Sequence, residues 1–402
     1  MKAIIKKSVA RGEIIPPPSK SYAHRLLICS ALANGQSEVD GVIESEDMLA
    51  TLDCISTLGA SYTLKNKRAT VLSSYKIYEN QVLRYRCRES GSTLRFFIPI
   101  ALLAGGVCEF YGSSRLLNRG LDVYYDICKR QGILYEIHSD KIVFNGKLKP
   151  DTFNVRGDIS SQFITGLLFA LPLLDGDSVI NVTTKLESAK YIDITINALK
   201  VFGIEITRSD SSFYIKGNQK YKPTCVKVEA DASNSAFLDA FNYIGGNVFV
   251  KELNKNTHQP DGIYDELFKM LNDDLSCIDV SNCPDLGPIL FALAGVKNGA
   301  KITGTARLKI KESDRANAMA TELKKMGISM DVYENEVVIH KSSPHAPNEA
   351  LFGHNDHRIV MALSVIATLF GAEIDGCEAV KKSYPDFFKD IKSLGISCEE
   401  II

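Results

Sequence analysis

The sequence has no arrangement of cysteine and histidine that is typical of a metal site or of a disulfide framework. Its ten cysteines are scattered as single residues, with no CxxC pair and no Cys/His cluster at zinc-binding spacing. Isolated cysteines of this kind are typical of buried free thiols in a protein of a reducing compartment. We therefore expect no metal, no disulfides and a cytoplasmic location.

Long apolar runs and an excess of one charge are also missing. The N-terminal stretch MKAIIKKSVARGEIIPPPSK lacks the apolar core of a secretory signal, and the apolar run over 96–107 is too short and glycine-interrupted to span a membrane. With 47 basic and 48 acidic residues the net charge is -1, which argues against a nucleic-acid partner or a membrane surface for the chain as a whole.

Motifs for common cofactors do not occur either. There is no Walker lysine loop and no dinucleotide fingerprint, so we expect no cofactor. The 402 residues, 45% apolar and 24% charged, have the composition of a globular protein and are enough for two or three domains.

What the sequence does contain is a pattern that recurs six times. An Ala/Leu-rich helix ends in a small-residue turn and runs into a short strand, and a second helix then ends in glycine before alternating apolar residues. The closing glycines are Gly59, Gly132, Gly203, Gly327 and Gly395. A sixth copy, over 237–250 and a helix at 263–271, lacks its closing glycine. The simplest architecture is two lobes of three units each; ordinary α/β alternation is the alternative.

Two polar or proline-containing stretches are candidate linkers between these lobes. They lie at 16–20 (PPPSK) and at 216–225. Linkers there predict a discontinuous C-terminal lobe, residues 1–16 plus 222–402, and a middle lobe, residues 17–221. Because ligands often bind between domains, we expect the active site in the cleft between the lobes.

Basic and hydroxyl residues gather in short loops, most of them just before an apolar helix. The exposed amides of a helix N-terminus, together with hydroxyl groups and cations, make a ready anion site. Solvated caps are the alternative explanation for each loop taken alone, and Ser383 with Asp386 has the spacing of a capping box. The loops are 19–25, 89–95, 115–120, 158–163, 309–315, 355–358 and 382–386.

Taken together, these loops predict a cleft that binds multiply anionic substrates. The candidate cations are Lys20, Arg25, Arg119, Lys311, Arg315, Arg358 and Lys382. Asp285, held between two prolines, and Glu312 are the carboxylates available for proton transfer.

In this order, the loops resemble those of the 5-enolpyruvylshikimate-3-phosphate (EPSP) synthase family. The matching motifs are PSKSYAHR, ESGSTLR, SSQF, SAKYIDIT, KESDR, NDHR and KSYPDFF, spread over residues 16–388. The resemblance implies an α/β (α+β) fold, a two-domain inside-out α/β barrel in which each domain has three βαβαββ repeats. It also implies a monomer whose partners are two small molecules, shikimate 3-phosphate and phosphoenolpyruvate.

The resemblance further assigns site residues to the two substrates. For shikimate 3-phosphate these are Lys20, Ser21, Arg25, Ser160, Ser161, Gln162, Ser188, Tyr191, Asp285 and Lys311. For phosphoenolpyruvate they are Lys20, Gly91, Arg119, Gln162, Arg315, Arg358 and Lys382. It implies that Asp285 is the base for the 5-hydroxyl and that Glu312, with Lys20, delivers a proton to the methylene carbon. The chain departs from the family's common pattern at Glu89, usually Asn, and at Phe96, usually Pro.

Two other functions are consistent with parts of this pattern. A UDP-N-acetylglucosamine enolpyruvyl transferase shares the fold, but most members place a reactive cysteine in the loop that corresponds to 115–120, and this chain has none there. A non-catalytic anion-binding relative is expected to lose Lys20, Asp285, Glu312 or Arg315, and all four are present.

Overall fold

The computed structural model describes residues 1–74, 81–254, 256–274 and 276–401. Over these ranges the strands are β1 Lys2–Ile5, β2 Arg11–Ile14, β3 Asn34–Asp40, β4 Ser61–Lys65, β5 Arg68–Ser74, β6 Leu83–Arg86, β7 Val107–Tyr111, β8 Leu134–Ile137, β9 Lys141–Asn145, β10 Thr152–Val155, β11 Ser178–Val182, β12 Ile206–Arg208, β13 Ser212–Ile215, β14 Cys225–Lys227, β15 Asn247–Val250, β16 Cys277–Asp279, β17 Ala300–Thr303, β18 Met330–Val332, β19 Glu336–Ile339, β20 Leu351–Phe352, β21 Ala372–Asp375 and β22 Cys398–Ile401.

The helices alternate with these strands along the chain. They are α1 Lys20–Leu32, α2 Glu46–Thr57, α3 Gly91–Ala101, α4 Ser114–Leu117, α5 Asp122–Gln131, α6 Ser161–Ala170, α7 Ala189–Val201, α8 Ala232–Asp239, α9 Tyr264–Met270, α10 Gly287–Val296, α11 Arg315–Lys324, α12 His357–Phe370 and α13 Phe387–Ser393.

The repeat predicted from the sequence is a βαβαββ unit with its own small sheet. In the unit β6–α3–β7–α5–β8–β9, the first two strands pair in parallel across a helical crossover, and the last two form an antiparallel hairpin beside them. The same strand order recurs in the sheets β10-β11-β13-β12, β16-β17-β19-β18, β14-β3-β5-β4 and β20-β21-β1-β22. The sixth sheet, in the described residues, is the pair β15-β2. The prediction of six repeats is therefore confirmed, with the unusual sixth copy reduced to two strands.

The chain divides into two compact units. The terminal unit comprises Met1–Pro17 and Ala230–Ile402, and the middle unit comprises Pro18–Glu229. Each unit contains three of the six sheets. The second junction lies further along the chain than 221/222, because β14 pairs in parallel with β3 and so belongs to the middle unit.

Within each unit the helices form the core and the sheets cover it. In α6 and α10 every residue but one is buried, whereas strands such as β8 keep most of their residues exposed or half-exposed. This is the inside-out arrangement that the resemblance implied. The apolar core of the middle unit and that of the terminal unit are separate clusters.

The predicted helix stops are confirmed. Gly59, Gly132, Gly203, Gly327 and Gly395 all have positive φ, between 70° and 89°. In each case the residue after the glycine donates its backbone N–H to a carbonyl in the preceding helix turn, as Ile204 does to Leu199 at 2.9 Å. An L side chain rarely adopts this left-handed conformation, so the recurring glycine marks the end of each second helix.

The cysteines are all free thiols, and seven of them are buried. Cys225 and Cys277 are exposed instead, because each lies in a short strand with its side chain pointing away from the core. In the described part of the chain, no helix is long and apolar enough to cross a membrane. The same residues contain no group of three or more His, Cys, Asp or Glu side chains that could hold a metal ion.

Candidate active site

Lys20 is the first residue of α1, and its ammonium group is held by a carboxylate of α2. The Nζ–Oδ2 distance to Asp47 is 2.7 Å, and both side chains are only 14% exposed. Ser19 caps the helix by accepting a hydrogen bond from the backbone N–H of Tyr22. Asp47 was not among the predicted site residues, because an acidic residue in the first turn of a helix is common for its favourable interaction with the helix dipole alone.

Arg25 lies one turn further along α1, and its buried guanidinium joins α1 to α7. Nε donates to Thr195 Oγ1 at 2.8 Å, Nη2 donates to the carbonyl of Tyr191 at 3.1 Å, and Nη1 donates to the carbonyl of Ser21 at 2.5 Å. Burial lowers the pKa of Arg25 to about 10, so the group stays cationic at neutral pH. Phe96 lies beneath it with its ring centre 5.1 Å from the Arg25 Cζ, which gives the unusual phenylalanine a definite contact.

Apart from Ser21 in the first turn of α1, the hydroxyl residues predicted for substrate binding lie at the starts of α6 and α7. Ser160 is the N-cap of α6 and accepts from the backbone N–H of Gln162 at 3.3 Å, as expected from the sequence. Ser161 is the first residue of that helix and is buried. Ser188 precedes α7 in the left-handed conformation, with φ 55°, and its carbonyl accepts from the backbone N–H of Tyr191 at 3.0 Å.

Arg95 connects the two remaining loops of the middle unit, although it was not among the predicted site residues. Its Nη1 donates to Gln162 Oε1 at 2.8 Å, and its Nη2 donates to the carbonyl of Arg119 at 2.9 Å. The Gln162 amide in turn donates to Ser92 Oγ at 2.9 Å. Arg95 is only 4% exposed, so it orients Gln162 and the loop at Arg119 from within the core. The charge of Arg95 was visible in the motif, but its long-range partners were not.

Gly91 begins α3 directly beside the guanidinium of Arg119. A Cβ added there would lie 2.8 Å from Arg119 Nη1 and 3.2 Å from Arg95 Nη1, so the absence of a side chain is what allows the close approach. The cap of α3 is Ser90, which accepts from the backbone N–H of Thr93. The helix therefore starts earlier than its apolar run suggested.

In the terminal unit, Asp285 is surrounded by three cations. Its Oδ1 accepts from Arg315 Nη1 at 2.7 Å and from Lys311 Nζ at 3.3 Å, and its Oδ2 accepts from Arg358 Nη2 at 2.9 Å. Three separate chain segments supply Asp285 and its partners: the turn before α10, the loop before α11 together with the first residue of that helix, and the first turn of α12. Three of the cations predicted for this unit, Lys311, Arg315 and Arg358, thus converge on one carboxylate.

Arg315 is the most heavily bonded of these cations. Its Nη2 donates to Glu312 Oε2 at 2.7 Å and its Nε donates to Asp356 Oδ2 at 2.8 Å, in addition to the contact with Asp285. Asp356 also accepts from the hydroxyl of Ser313 at 2.9 Å and caps α12. The Arg315 side chain is 1% exposed, and that of Asp356 is fully buried. Asp356, which holds Arg315 through this contact, was not among the predicted site residues.

The pKa values in this cluster follow from burial and from the neighbouring charges. Burial opposes ionisation of Asp285, but Arg358, Lys311 and Arg315 outweigh it and hold the pKa of Asp285 well below its usual range. Burial lowers the pKa of Lys311 to about 8, against the opposite influence of Asp285. Burial, reinforced by the charge of Asp285, raises the pKa of Asp261 to about 7. Asp285 is therefore a carboxylate at neutral pH, while the pKa of Lys311 lies not far above neutral pH.

Lys382 lies next to this cluster because it bonds to the loop that precedes α12. Its Nζ donates to the carbonyl of Asn355 at 2.8 Å, directly before Asp356. The predicted capping box of Ser383 with Asp386 does not form. α13 begins only after Asp386, and Asp386 makes no side-chain capping bond. The spacing of Ser383 and Asp386 alone was therefore misleading.

The predicted site residues thus form two sets, one in each unit. The middle unit contains the set Lys20, Ser21, Arg25, Gly91, Arg119, Ser160, Ser161, Gln162, Ser188 and Tyr191, and the terminal unit contains the set Asp285, Lys311, Glu312, Arg315, Arg358 and Lys382. Both sets combine cations and helix N-termini, which is the chemistry of anion binding.

Comparison with known proteins gives one consistent result. The chain matches the family model of EPSP synthase (3-phosphoshikimate 1-carboxyvinyltransferase) over residues 5–275 and 267–391. It is 42% identical to the 3-phosphoshikimate 1-carboxyvinyltransferase of Clostridium acetobutylicum, covering 96% of this chain and 95% of that protein. It is 41% identical to the protein of the same name from Clostridium kluyveri, covering 98% of each.

Solved structures support the fold independently of close sequence similarity. An EPSP synthase structure from Acinetobacter baumannii matches with a TM-score of 0.80 at 23% identity, covering 99% of each chain. A second structure of EPSP synthase from the same organism matches with a TM-score of 0.81 at 22% identity, covering all of both chains.

Proposed function

The chain belongs to the EPSP synthase family, and from that premise we propose how its residues divide the work of the family's reaction. The enzyme transfers the enolpyruvyl group of phosphoenolpyruvate to the 5-hydroxyl of shikimate 3-phosphate and releases inorganic phosphate, a step of aromatic amino-acid biosynthesis. The matched family does not favour UDP-N-acetylglucosamine as the acceptor.

The observation that carries the residue assignment is the convergence of Lys311, Arg315 and Arg358 on Asp285. Both substrates carry a phosphate and a carboxylate, so each requires several cations. We assign Lys311 and Asp285 to shikimate 3-phosphate, and Arg315, Arg358 and Lys382 to phosphoenolpyruvate.

The middle unit supplies the complementary groups. Arg25, with the loops at Ser160 and Ser188, is assigned to shikimate 3-phosphate, together with Ser21, Ser161 and Tyr191. Gly91 and Arg119 are assigned to phosphoenolpyruvate, while Gln162 and Lys20 serve both substrates. We propose that residues of both units act on the same pair of bound substrates.

The electrostatics of Asp285 support a base that becomes active when the substrates bind. Three cations hold its pKa low, so Asp285 is deprotonated but weakly basic. Substrate phosphate and carboxylate groups would neutralise part of the charge of Lys311, Arg315 and Arg358, and the pKa of Asp285 would rise. Asp285 then accepts the proton of the 5-hydroxyl as its oxygen attacks C2 of phosphoenolpyruvate.

Proton transfer at the methylene carbon is assigned to Glu312, with Lys20. Addition of the 5-hydroxyl at C2 and of a proton at C3 gives a tetrahedral intermediate. Loss of a proton from C3 and departure of phosphate then restore the double bond in the product. Arg315 holds Asp285 and Glu312 on two different nitrogen atoms, so its orientation fixes both proton-transfer groups at once. The cations stabilise the charge that develops on the departing phosphate.

The residue assignment is tested by phosphate release from the purified enzyme with both substrates. Lys20→Ala in the middle unit and Glu312→Gln in the terminal unit should each lower kcat by roughly 10²- to 10⁴-fold, the usual contribution of general acid–base groups. Lys65→Ala and Glu334→Gln, which change exposed residues of the same two units, are the matched controls.

The possible outcomes separate the reaction from the residues that perform it. No phosphate release by the unmodified enzyme would contradict the reaction. Wild-type turnover in either Lys20→Ala or Glu312→Gln would contradict the role of that residue. Release with UDP-N-acetylglucosamine in place of shikimate 3-phosphate would restore the alternative acceptor.

We further propose that the enzyme acts in the cytoplasm as a monomer. Its cysteines are single free thiols, which fits a reducing compartment. Analytical ultracentrifugation at micromolar concentration should give the mass of one 44.3 kDa chain; a larger particle would contradict the monomer.

A further inference from the structure

Four buried side chains form a continuous hydrogen-bonded chain across three helices of the middle unit. His24 Nδ1 of α1 lies 2.6 Å from Thr51 Oγ1 of α2, which lies 2.9 Å from Thr93 Oγ1 of α3. Thr93 Oγ1 lies 2.8 Å from Ser90 Oγ, at the cap of α3. None of the four residues is more than 1% exposed, so water cannot replace these bonds.

The direction of this chain follows from the number of protons available. The hydroxyl of Thr93 donates to Ser90, so Thr93 must accept from the hydroxyl of Thr51. Thr51 has then used its only proton, and it must accept a proton donated by His24 Nδ1–H. In a neutral ring a proton on Nδ1 leaves Nε2 without one, and Nε2 is buried with no hydrogen-bond partner in the described residues. Burial and the charges of Lys20 and Arg25 lower the pKa of His24 well below its usual range, which also favours the neutral ring.

The hydrogen-bonded chain lies beside the ion pair of Lys20 with Asp47, and Lys20 belongs to the proposed site. Lys20 is bonded to Asp47 one helical turn before the His24–Thr51 contact, since both pairs are offset by four residues. The helices α1 and α2 are therefore cross-linked twice on the same side.

At its other end, the hydrogen-bonded chain comes close to Gly91 and Arg119, which are also assigned to phosphoenolpyruvate. Ser90, the last member, caps α3. The next residue, Gly91, lies against the guanidinium of Arg119. Two groups assigned to one substrate, Lys20 and Arg119, are thus connected through the core of the middle unit.

We propose that the chain His24–Thr51–Thr93–Ser90 positions the N-terminus of α1, with Lys20, relative to the N-terminus of α3, with Arg119, for binding of phosphoenolpyruvate. His24 is a positioning residue, because its Nδ1–H sets the direction of every bond in the chain. The proposal rests on the assignment of Lys20, Gly91 and Arg119 to phosphoenolpyruvate given above.

A purely structural role for the same bonds predicts a different result. Buried hydroxyl pairs stabilise a fold whether or not they orient a site. If the role is purely structural, breaking the bonds should lower thermal stability without changing the ratio of the two Michaelis constants. If the bonds position the site, breaking them should raise KM for phosphoenolpyruvate. Any side chain that retains the hydroxyl should then keep KM at its wild-type value.

The experiment compares Thr51→Val with Thr51→Ser in the full-length enzyme. Valine keeps the shape of threonine but leaves His24 Nδ1–H without its acceptor, whereas serine retains the hydroxyl. Thr51→Val should raise KM for phosphoenolpyruvate on the order of ten-fold, because small displacements of binding groups have large effects. Its KM for shikimate 3-phosphate should stay within about two-fold of wild type. Thr51→Ser should resemble wild type for both substrates.

Ser30→Ala is the matched control. Ser30 is a fully buried hydroxyl of α1 that, in the described residues, bonds only within its own helix, to the carbonyl of Leu26 at 2.8 Å. It should reduce the melting temperature without changing either Michaelis constant. Thr51→Val with the kinetics of Ser30→Ala, or Thr51→Ser as impaired as Thr51→Val, would overturn the proposal.

A second measurement decides the matter if Thr51→Val does not fold. The ¹⁵N spectrum of histidine-labelled wild-type enzyme distinguishes the two neutral tautomers, and His24→Asn identifies the His24 signals. We expect the Nδ1–H tautomer at neutral pH. An Nε2–H tautomer or an imidazolium would reverse or break the chain and refute the proposal.

Arg119→Ala, measured alongside, separates this inference from the substrate assignment. If Arg119→Ala weakens phosphoenolpyruvate binding and Thr51→Val does not, the assignment stands and the positioning role fails. If Arg119→Ala leaves KM for phosphoenolpyruvate unchanged, the assignment itself fails.

Discussion

Replacement of Arg315 by lysine is the most direct test of the cation cluster in the terminal unit. Three nitrogen atoms of Arg315 contact three different carboxylates, those of Asp285, Glu312 and Asp356, at 2.7–2.8 Å. A lysine ammonium is a single nitrogen on a flexible stem and cannot serve three carboxylates that lie in different directions. We therefore expect Arg315→Lys to behave as the loss of buried ion pairs, although it conserves the charge.

The size of the effect can be worked out contact by contact. Asp285 keeps Lys311 and Arg358, so the loss falls mainly on Glu312 and on Asp356, which is fully buried. Removing one partner of a buried pair costs about 3–5 kcal/mol, and the retained positive charge places Arg315→Lys near about 3 kcal/mol. For a unit of this size each kcal/mol corresponds to about 2–4 °C, so its melting temperature should fall by on the order of 10 °C.

Calorimetry measures this change, and hydrogen exchange of α11 and α12 localises it to the terminal unit. Arg11→Lys is the control, because Arg11 is an exposed arginine of the same unit. Turnover should fall together with stability, since Arg315 orients Asp285 and Glu312. A loss of stability below about 1 kcal/mol, no larger than an exposed pair contributes, would refute the reasoning.

Two further predictions concern the pH dependence of binding and the close approach at Gly91. Lys311 loses its charge as the pH rises through about 8; kcat/KM for shikimate 3-phosphate should therefore fall on that alkaline side, and Lys311→Arg should move the fall to higher pH. An alkaline limb that Lys311→Arg leaves in place would contradict this. Gly91→Ala places a Cβ 2.8 Å from Arg119 Nη1, so KM for phosphoenolpyruvate should rise several-fold. In the Arg119→Ala background Gly91→Ala should have little further effect, and an undiminished effect there would exclude Arg119 as the cause.

The repeats and most of the site loops could be predicted because their signals are local. A glycine after an apolar helix marks a left-handed stop wherever it occurs, and Gly59 and Gly395 have this conformation in different units. The missing glycine of the sixth copy was also informative, since that copy has the two-stranded sheet. The same local reasoning was wrong at Ser383, where the spacing of a capping box occurs without a capping bond.

The residues that were missed act through contacts between distant parts of the chain. Arg95 bonds to Gln162, 67 positions away, and Arg315 bonds to Asp356, 41 positions away. Asp47 looks like an ordinary first-turn acid until it meets Lys20. No spacing rule relates such residues, because the folded path of the chain decides which of them meet.

From its amino-acid sequence alone, this chain revealed the number of its repeats, the glycine stops of its helices and the loops that carry the candidate site residues. These features depend on backbone conformation and capping, which act over a few residues. Tertiary structure alone decided that Asp285 contacts three cations, that Arg315 is held by three carboxylates, and that His24 has a buried threonine as its partner. Burial and charge pairing arise only when packing brings distant segments together and removes water from between them.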